Sequence, residues 1–273
     1  MTPWYIKIKI VMSKKFTRLF LFFIIFIIIL AFCLTKFMNT SSELPHNNYN
    51  ISNFNGTDFK TYEDDEYTSI LGVDLCDFDD VTDFEAIKNE GIEFIYLRVG
   101  YRGYGNAGVI YKDDNFEEYY REGKEYGFKI GVYFFSQALN NEELEEEVNF
   151  IFENIQDKEI DLPIAYDFEF IYEDDARSDN LTSEMLTSNM ELFCKLVEEK
   201  GYKSIIYTNL DMIKKEAFNL ESLFSHDVWY AQYYDVPECE YPYSIWQYGV
   251  EIEIDGVKEG VDMNIMLIKK ENN

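Results

Sequence analysis

Four acidic residues lie where short apolar segments of the sequence end. Asp74 ends the first of these segments, Asp167 and Glu169 end the fourth, and Asp262 ends the last. In a strand, residues i and i+2 point to the same face, so Asp167 and Glu169 are predicted to project together. Two adjacent carboxyl groups suit glycosidic bond hydrolysis, because one can protonate the leaving oxygen while the other, ionised, stabilises the cationic sugar.

The Asp-x-Glu pattern alone is weak evidence for such a pair. It occurs four times in this acidic chain, starting at Asp64, Asp83, Asp157 and Asp167. Only the last of these ends an apolar segment, where a charged residue needs a reason. The alternative is that Asp167 and Glu169 are solvated loop acids.

Aromatic residues also fall at or just past the ends of the predicted strands. Sugar rings have apolar faces, and concave binding sites are commonly lined by aromatic side chains. Any single member of the set could instead belong to the core, so the group carries more weight than its members. These residues are Tyr101, Tyr133, Phe135, Tyr207, Trp229 and Tyr248.

Composition excludes several other chemistries. The chain has only two histidines, His46 and His226, which argues against a zinc hydrolase and against a Ser or Cys nucleophile with a His base. Carboxylates are therefore the expected catalytic groups. Acidic residues outnumber basic residues 52 to 24, giving a net charge of −28, so binding to nucleic acid phosphates is not expected.

The four cysteines suggest neither a metal nor a redox site. Cys33 lies in an apolar N-terminal segment, and the spacings of Cys76, Cys194 and Cys239 fit no metal knuckle or C-x-x-C motif. The last three are either unpaired buried residues, or two of them form a disulfide bond.

From residue 69 onward, apolar segments alternate with amphipathic ones, which indicates an α/β fold. A capping box of Thr82 and Glu85 is predicted to begin the first helix. The last predicted strand contains a turn at Asp255-Gly256. The predicted strands are 70–75, 94–99, 130–135, 162–168, 204–208, 228–232, 244–248 and 251–261. The predicted helices are 82–90, 114–126, 140–155, 183–200 and 211–218.

This order of elements predicts a barrel of about eight strands. Repeated β-α units form parallel sheets, and no glycine-rich phosphate loop follows the first strand, which argues against a nucleotide-binding fold. In barrels, catalytic groups lie at the carboxyl ends of the strands. If the barrel closes, its first and last strands are neighbours, which brings Asp74 near Asp262.

The N-terminal part of the chain has the composition of a membrane-targeting segment. The first forty residues contain six basic residues and no acidic ones. Residues 1–18 are predicted to be a basic cytoplasmic segment, 19–35 a transmembrane anchor or the apolar region of a cleaved signal, and 36–68 a polar linker. The domain at 69–273 is then extracytoplasmic, either anchored to the cell membrane or secreted.

Short segments along residues 71–273 resemble the glycoside hydrolase family 25 lysozymes, the Chalaropsis-type muramidases. Each segment is short, but the ordered set over about 200 residues is specific. The segments that carry the likeness are Gly72-Val73-Asp74, Leu97-Arg98-Val99-Gly100-Tyr101-Arg102, Gly131-Val132-Tyr133, Asp167-Phe168-Glu169, Ile206-Tyr207-Thr208, Trp229-Tyr230-Ala231, Ile245-Trp246-Gln247-Tyr248 and Val261-Asp262-Met263-Asn264.

The resemblance implies an irregular TIM-like (β/α)5(β)3 barrel that cleaves the β-1,4 bond between N-acetylmuramic acid and N-acetylglucosamine in peptidoglycan. It implies that Glu169 is the proton donor and that Asp167 is the nucleophile or orients the substrate acetamido group. Asp74 and Asp262 match the two further acids of the family, which position substrate and adjust the pKa values of Asp167 and Glu169. It also implies that Arg98, Trp246 and Gln247 join the aromatic set in binding glycan. It implies no metal and no organic cofactor.

The sequence departs from the family pattern at several positions without losing any of the four acids. Cys76 stands where Ser is usual, Phe84 where Trp is common, and Tyr119 where Asn is frequent. Further departures are Asp79-Asp80 and Phe134. Two other functions stay open: a catalytically weak barrel that binds wall glycan in an envelope complex, and a chitinase-like glycosidase. The chitinase pattern needs further Asp residues where this chain has Leu162 and Ala165.

Overall fold

The computed structural model describes residues 44–172 and 175–271. The predicted basic segment at 1–18 and the predicted anchor at 19–35 lie outside the described residues. Within the described residues, no helix combines the length and the apolar character that crossing a membrane requires. The part of the chain described below belongs to one compact unit that begins at Leu44.

A mixed α/β barrel makes up most of this unit, as the alternation of elements predicts. A short 3-10 turn at Ile51–Asn53 precedes the first strand. The strands are β1 (Phe54–Asn55), β2 (Thr61–Tyr62), β3 (Tyr67–Leu75), β4 (Ile92–Arg102), β5 (Ile110–Lys112), β6 (Lys129–Ser136), β7 (Ile164–Phe168), β8 (Ser204–Asn209), β9 (Val228–Ala231), β10 (Ile245–Ile252) and β11 (Val261–Lys269). The helices are α1 (Phe84–Asn89), α2 (Phe116–Glu125), α3 (Asn141–Ile155), α4 (Ser183–Glu199), α5 (Leu210–Lys214) and α6 (Leu220–Leu223).

Eight strands close the barrel in the order β3, β4, β6, β7, β8, β9, β10 and β11. Neighbouring strands from β3 to β10 pair in parallel, whereas β11 pairs antiparallel with both β10 and β3. Strand β5 adds to the edge of β4 as a hairpin. Five β/α units followed by strands without long helices give the arrangement that the sequence predicts.

The prediction for the last strand was wrong. Residues 251–261 are predicted as a strand, but β10 ends at Ile252 and β11 begins at Val261. Within β10, next to its last residue, Glu251 has a positive φ of 52°, and the pairing of β10 with β11 shifts register between Gln247 and Ile252, so the ladder becomes irregular before β10 ends. Asp262 therefore lies at the start of an antiparallel strand, which nevertheless begins at the same barrel end where the parallel strands finish.

The first helix is capped by a different residue from the one predicted. The side chain of Asp83 accepts a hydrogen bond from the backbone N–H of Ala86, at 3.0 Å. Thr82 instead donates its hydroxyl to the backbone oxygen of Gly256. Asp and Thr are both good N-cap residues, so their order in the sequence did not decide between them.

The barrel has a filled interior and an outer layer under the helices. Large rings occupy the interior because two glycines face them across the strand pairs. A Cβ atom added to Gly72 would lie 2.3 Å from the ring of Phe94, and one added to Gly131 would lie 2.5 Å from the ring of Tyr96. Glycine at these two positions therefore lets the interior hold aromatic side chains without a clash.

Residues 44–66 pack against the barrel and residues 67–68 begin β3, although the composition of 36–68 predicts a polar linker. The side chain of Asn47 donates to the backbone oxygens of Cys239 and Tyr241, and the Tyr49 hydroxyl donates to that of Tyr243. Phe54 and Tyr62 are buried, at 8% and 1% exposure. This segment therefore belongs to the same compact unit as the barrel. The three cysteines that the structure describes, Cys76, Cys194 and Cys239, are free thiols.

Candidate active site

A cavity of about 720 Å³ opens at the barrel end where the parallel strands finish. All four acids that the sequence singles out line it. Asp74 lies near the end of β3, Asp167 near the end of β7, Glu169 just after β7, and Asp262 at the start of β11. Four carboxyl groups from three strands therefore face one space, as expected for barrel enzymes.

Asp167 and Glu169 project into the cavity together, as their spacing predicts. Asp167 is 6% exposed, and its Oδ1 atom has no hydrogen-bond partner among the described residues. The side chain of Asn209 hydrogen-bonds to the carboxyl group of Glu169. A buried acceptor without a protein partner is costly, so the free oxygen of Asp167 is available to a group that enters the cavity.

Both carboxyl groups hold their protons more tightly than free side chains do. Burial, followed by the charge of Asp262, raises the pKa of Glu169 to about 7. Burial also raises the pKa of Asp167 well above its ordinary value, with the charges of Glu169 and Asp74 adding to it. The Arg98 guanidinium opposes this rise at Asp167, so it favours the ionised form of Asp167 within the pair.

Asp74 and Asp262 are direct neighbours across the antiparallel pair of β3 and β11. The side-chain amide of Gln247 donates to both, at 2.9 Å to Asp74 Oδ1 and 3.3 Å to Asp262 Oδ2. The amide of Asn264 donates to Asp74 Oδ1 at 2.7 Å, while its own oxygen accepts from Trp229 Nε1 at 2.8 Å. Each amide has a defined orientation because both of its ends are bonded.

Burial also raises the pKa values of Asp74 and Asp262. It raises the pKa of Asp74 well above its ordinary value, with the charge of Asp262 as the next cause. Burial and then the charge of Asp79 raise the pKa of Asp262 to about 6. The cavity therefore favours partly protonated carboxyl groups near neutral pH, the condition that general acid catalysis needs.

The predicted aromatic set mostly forms the floor of the cavity. Tyr207 and Trp229 line it at only 6% and 2% exposure, with their rings edge to face at 5.4 Å. Their burial leaves little ring face open to a sugar. The predicted residues that line the cavity are Arg98, Tyr101, Tyr133, Phe135, Tyr207, Trp229 and Gln247.

Trp246 and Tyr248 are not brought to the cavity, which corrects their prediction as glycan-binding residues. Both alternate along β10 with the inward-facing Gln247, so they point to the outer side of the barrel. They pack there around the ammonium group of Lys60, which lies 5.9 Å from each ring. Lys60 also donates to the backbone oxygen of Asp235 at 2.9 Å.

Sequence reasoning missed several residues of the site. Phe78, Tyr104 and Tyr233 line the cavity and lie in connections, where no strand periodicity reveals them. The Tyr233 hydroxyl donates to Gln247 Oε1 at 3.0 Å. Asn264 could have been found, because it lies two residues after Asp262 in the same strand and must share its face.

No three His, Cys, Asp or Glu side chains among residues 44–172 and 175–271 are grouped so that they could hold a metal ion. The cavity lining combines carboxyl groups, an amide, aromatic rings and the guanidinium groups of Arg98 and Arg102, an arrangement that suits proton transfer and charge stabilisation by carboxylates.

Comparison with known proteins gives a family and a set of relatives. The family described as Glycosyl hydrolases family 25 matches residues 73–257. The autolytic lysozyme of Clostridium acetobutylicum is 25% identical over 195 residues, which are 71% of this chain and 54% of that protein. The chain thus spans about half the length of this curated relative.

Solved structures share the fold. The spore cortex lytic enzyme SleM of Clostridium perfringens superposes with a TM-score of 0.61 at 22% identity, over 72% of this chain and 67% of that one. The modular autolysin LytC of Streptococcus pneumoniae, solved with a synthetic peptidoglycan ligand, superposes with a TM-score of 0.62 at 20% identity, over 73% and 47% of the two chains. At these identities the superpositions establish the fold alone.

Proposed function

The chain belongs to glycosyl hydrolase family 25, and from this premise we propose that it is a peptidoglycan hydrolase. It cleaves the β-1,4 bond between N-acetylmuramic acid and N-acetylglucosamine. The observation that carries the proposal is the convergence of Asp74, Asp167, Glu169 and Asp262 on one cavity. The curated relative, which is named an autolytic lysozyme, supports the same substrate class.

In the proposed mechanism Glu169 is the general acid. With a pKa of about 7 it is protonated below neutral pH and can donate its proton to the glycosidic oxygen as the C1–O bond breaks. The leaving sugar departs as an alcohol, and positive charge develops at the C1 carbon of the remaining sugar. After departure, the ionised Glu169 accepts a proton from the attacking water.

Asp167 stabilises that developing charge in its ionised form. Arg98 favours this form, and the unpartnered Oδ1 atom of Asp167 leaves an acceptor free for substrate. Asp167 either attacks C1 directly or accepts the N–H of the substrate acetamido group, whose oxygen then attacks C1. Asp74 and Asp262, fixed by Gln247 and Asn264, position substrate and raise the proton affinity of the pair.

The test is digestion of purified peptidoglycan with the full-length protein, followed by mass spectrometry of the new reducing ends. New ends at N-acetylmuramic acid support the proposal, whereas ends at N-acetylglucosamine, or none, contradict it. Chitin serves as a second substrate and distinguishes a chitinase-like glycosidase. Glu169→Gln should lower activity roughly 10²–10⁴-fold with unchanged thermal unfolding. Retention of more than a tenth of the activity would contradict its role.

We further propose that the enzyme acts outside the cytoplasm and is held at the membrane by residues 19–35. The support is the unbroken apolar segment from Leu19 to Leu34 with basic residues before it. Carbonate washing of a membrane fraction should leave the full-length protein in the pellet, since a spanning helix does not desorb with charge. A shortened form in the medium would instead indicate a cleaved signal.

A further inference from the structure

Phe78 is an exposed aromatic residue at the rim of the cavity. Phe78 is 81% exposed, the largest exposed fraction among the large hydrophobic residues that the structure describes. An exposed apolar residue needs no explanation by itself. Phe78 differs because it lines the same cavity as the four acids.

The connection that carries Phe78 is held in place by several hydrogen bonds. Asp79 Oδ2 accepts from the backbone N–H of Cys76 at 2.7 Å. The Tyr119 hydroxyl donates to the backbone oxygen of Asp79 and accepts from the N–H of Val81 at 3.3 Å. The backbone on both sides of Phe78 is therefore fixed before any ligand binds, which lowers the entropic cost of using its ring as a contact.

A stack of planar groups supports the ring from the side of the protein. The guanidinium carbon of Arg98 lies 5.1 Å from the ring centre of Phe78 and 5.0 Å from that of Tyr101. Tyr101 in turn stacks on Tyr111, with ring centres 5.3 Å apart and planes inclined by 27°. Phe78 is the exposed outer member of this stack, and at 81% exposure most of its ring is open to a ligand.

The charge of the stack is already neutralised. Arg98 pairs with Asp77 and, at 2.8 Å, with Asp113. Arg102, the other arginine at the cavity, pairs with Glu147 at 2.7 Å and with Glu146 at 3.1 Å. Neither arginine has a charge left to bind a carboxylate, so the surface at Phe78 suits a neutral ligand with a flat apolar face.

We propose that Phe78 is a stacking platform for a neutral pyranose ring of the glycan strand, outside the two sugars that flank the cleaved bond. The inference rests on the proposed function and adds a subsite to it. Asp167 is buried at the bottom of the cavity, whereas Phe78 lies at its exposed rim. A sugar on Phe78 is therefore displaced from the reacting bond, and only longer strands reach it.

The experiment measures how binding depends on strand length. Peptide-free glycan strands, prepared by amidase treatment of peptidoglycan and fractionated by disaccharide number, are titrated into the inactive Glu169→Gln protein and into the double variant that also carries Phe78→Ala. Affinity should increase once strands are long enough to reach the rim. Phe78→Ala should remove only that increase, roughly tenfold, while Phe78→Tyr retains it.

Tyr234→Ala is the matched control, because Tyr234 is 53% exposed but does not line the cavity. It should change neither affinity nor its length dependence, and none of the variants should alter thermal unfolding. Equal losses by Phe78→Ala on short and long strands, or no loss, overturn the subsite while the proposed function stands if wild-type protein still cleaves the strands. Strands that keep their peptides are titrated in parallel, and a loss seen only with them assigns Phe78 to the peptide and also overturns the subsite. If wild-type protein neither binds nor cleaves any strand, the proposed function and the subsite fail together.

Discussion

The pH dependence of the enzyme should be set largely by Glu169, and Asp262 should control where its alkaline limb lies. The pKa of Glu169 is about 7, against an ordinary value of 4.5. This difference of about 2.5 pH units corresponds to about 3.4 kcal/mol in favour of the protonated form. Because the proposed general acid Glu169 must be protonated to donate its proton, activity should fall as pH rises through about 7.

Asp262→Asn tests the electrostatic part of this difference. Asp262 has a pKa of about 6, so it is mostly ionised at pH 7 and its negative charge acts on Glu169 there. Burial is the larger cause of the raised pKa of Glu169 and is unchanged in the variant. We therefore expect the alkaline limb to move to lower pH by less than half of the total, roughly 0.5–1 pH unit.

The assay is kcat/KM against pH on short, peptide-free glycans, since this ratio reports the pKa values of the free enzyme. Asp157→Asn removes the same charge at an exposed position and should leave the limb in place. An unmoved limb in Asp262→Asn, or a limb moved to higher pH, would refute the electrostatic argument. A limb moved by 2 pH units or more would show that burial contributes less than the structure indicates.

Three further predictions concern stability and salt. Asn264→Ala removes the hydrogen-bond partner of the buried Nε1–H of Trp229 and of an oxygen of Asp74. The free energy of unfolding measured in urea should therefore fall by about 1–3 kcal/mol. A fall of less than about 0.5 kcal/mol would contradict this hydrogen-bond network. Asp83→Ala removes the N-cap of α1 and should lower the free energy of unfolding by about 1 kcal/mol, whereas Thr82→Ala should lower it by less. If thermal unfolding shows the larger loss for Thr82→Ala, Thr82 is the cap. Activity on whole, anionic walls should rise between low and moderate salt because the chain carries a charge of −28. The change should be smaller on short peptide-free glycans, which carry few charges, and an equal response on both would exclude repulsion as the cause.

The barrel and its four acids could be predicted because they depend on local patterns. Apolar segments alternating with amphipathic ones define β/α units, and the i, i+2 rule places Asp167 and Glu169 on one face. The proximity of Asp74 and Asp262 follows from closure of the barrel, and the two residues pair directly in the structure. Closure does not depend on the direction of the last strand, so the error in the bounds of β11 left this prediction intact.

The features that were missed depend on contacts between distant parts of the chain. Residues 44–68 are polar in composition, yet Asn47 and Tyr49 bind backbone oxygens about 190 residues later, which no local pattern reveals. Trp246 and Tyr248 face the outer side of the barrel because they alternate with Gln247 along β10, so their direction was open to prediction, whereas their packing around Lys60 was not. The rim residues Phe78 and Tyr104 were missed because they lie in connections, where side-chain direction has no fixed period.

The pairing of β3 with β11 also places the start of β3 and the end of β11 side by side, at the end of the barrel opposite the cavity. Tyr67 pairs with Lys269 at one end of this ladder and Asp74 with Asp262 at the other, and the N–H of Lys270 donates to the oxygen of Glu66 at 2.7 Å. Seven residue steps separate the two ends of the ladder, or about 24 Å. A module attached at the start of β3 or at the end of β11 would therefore lie far from the carboxylates and leave the cavity unobstructed.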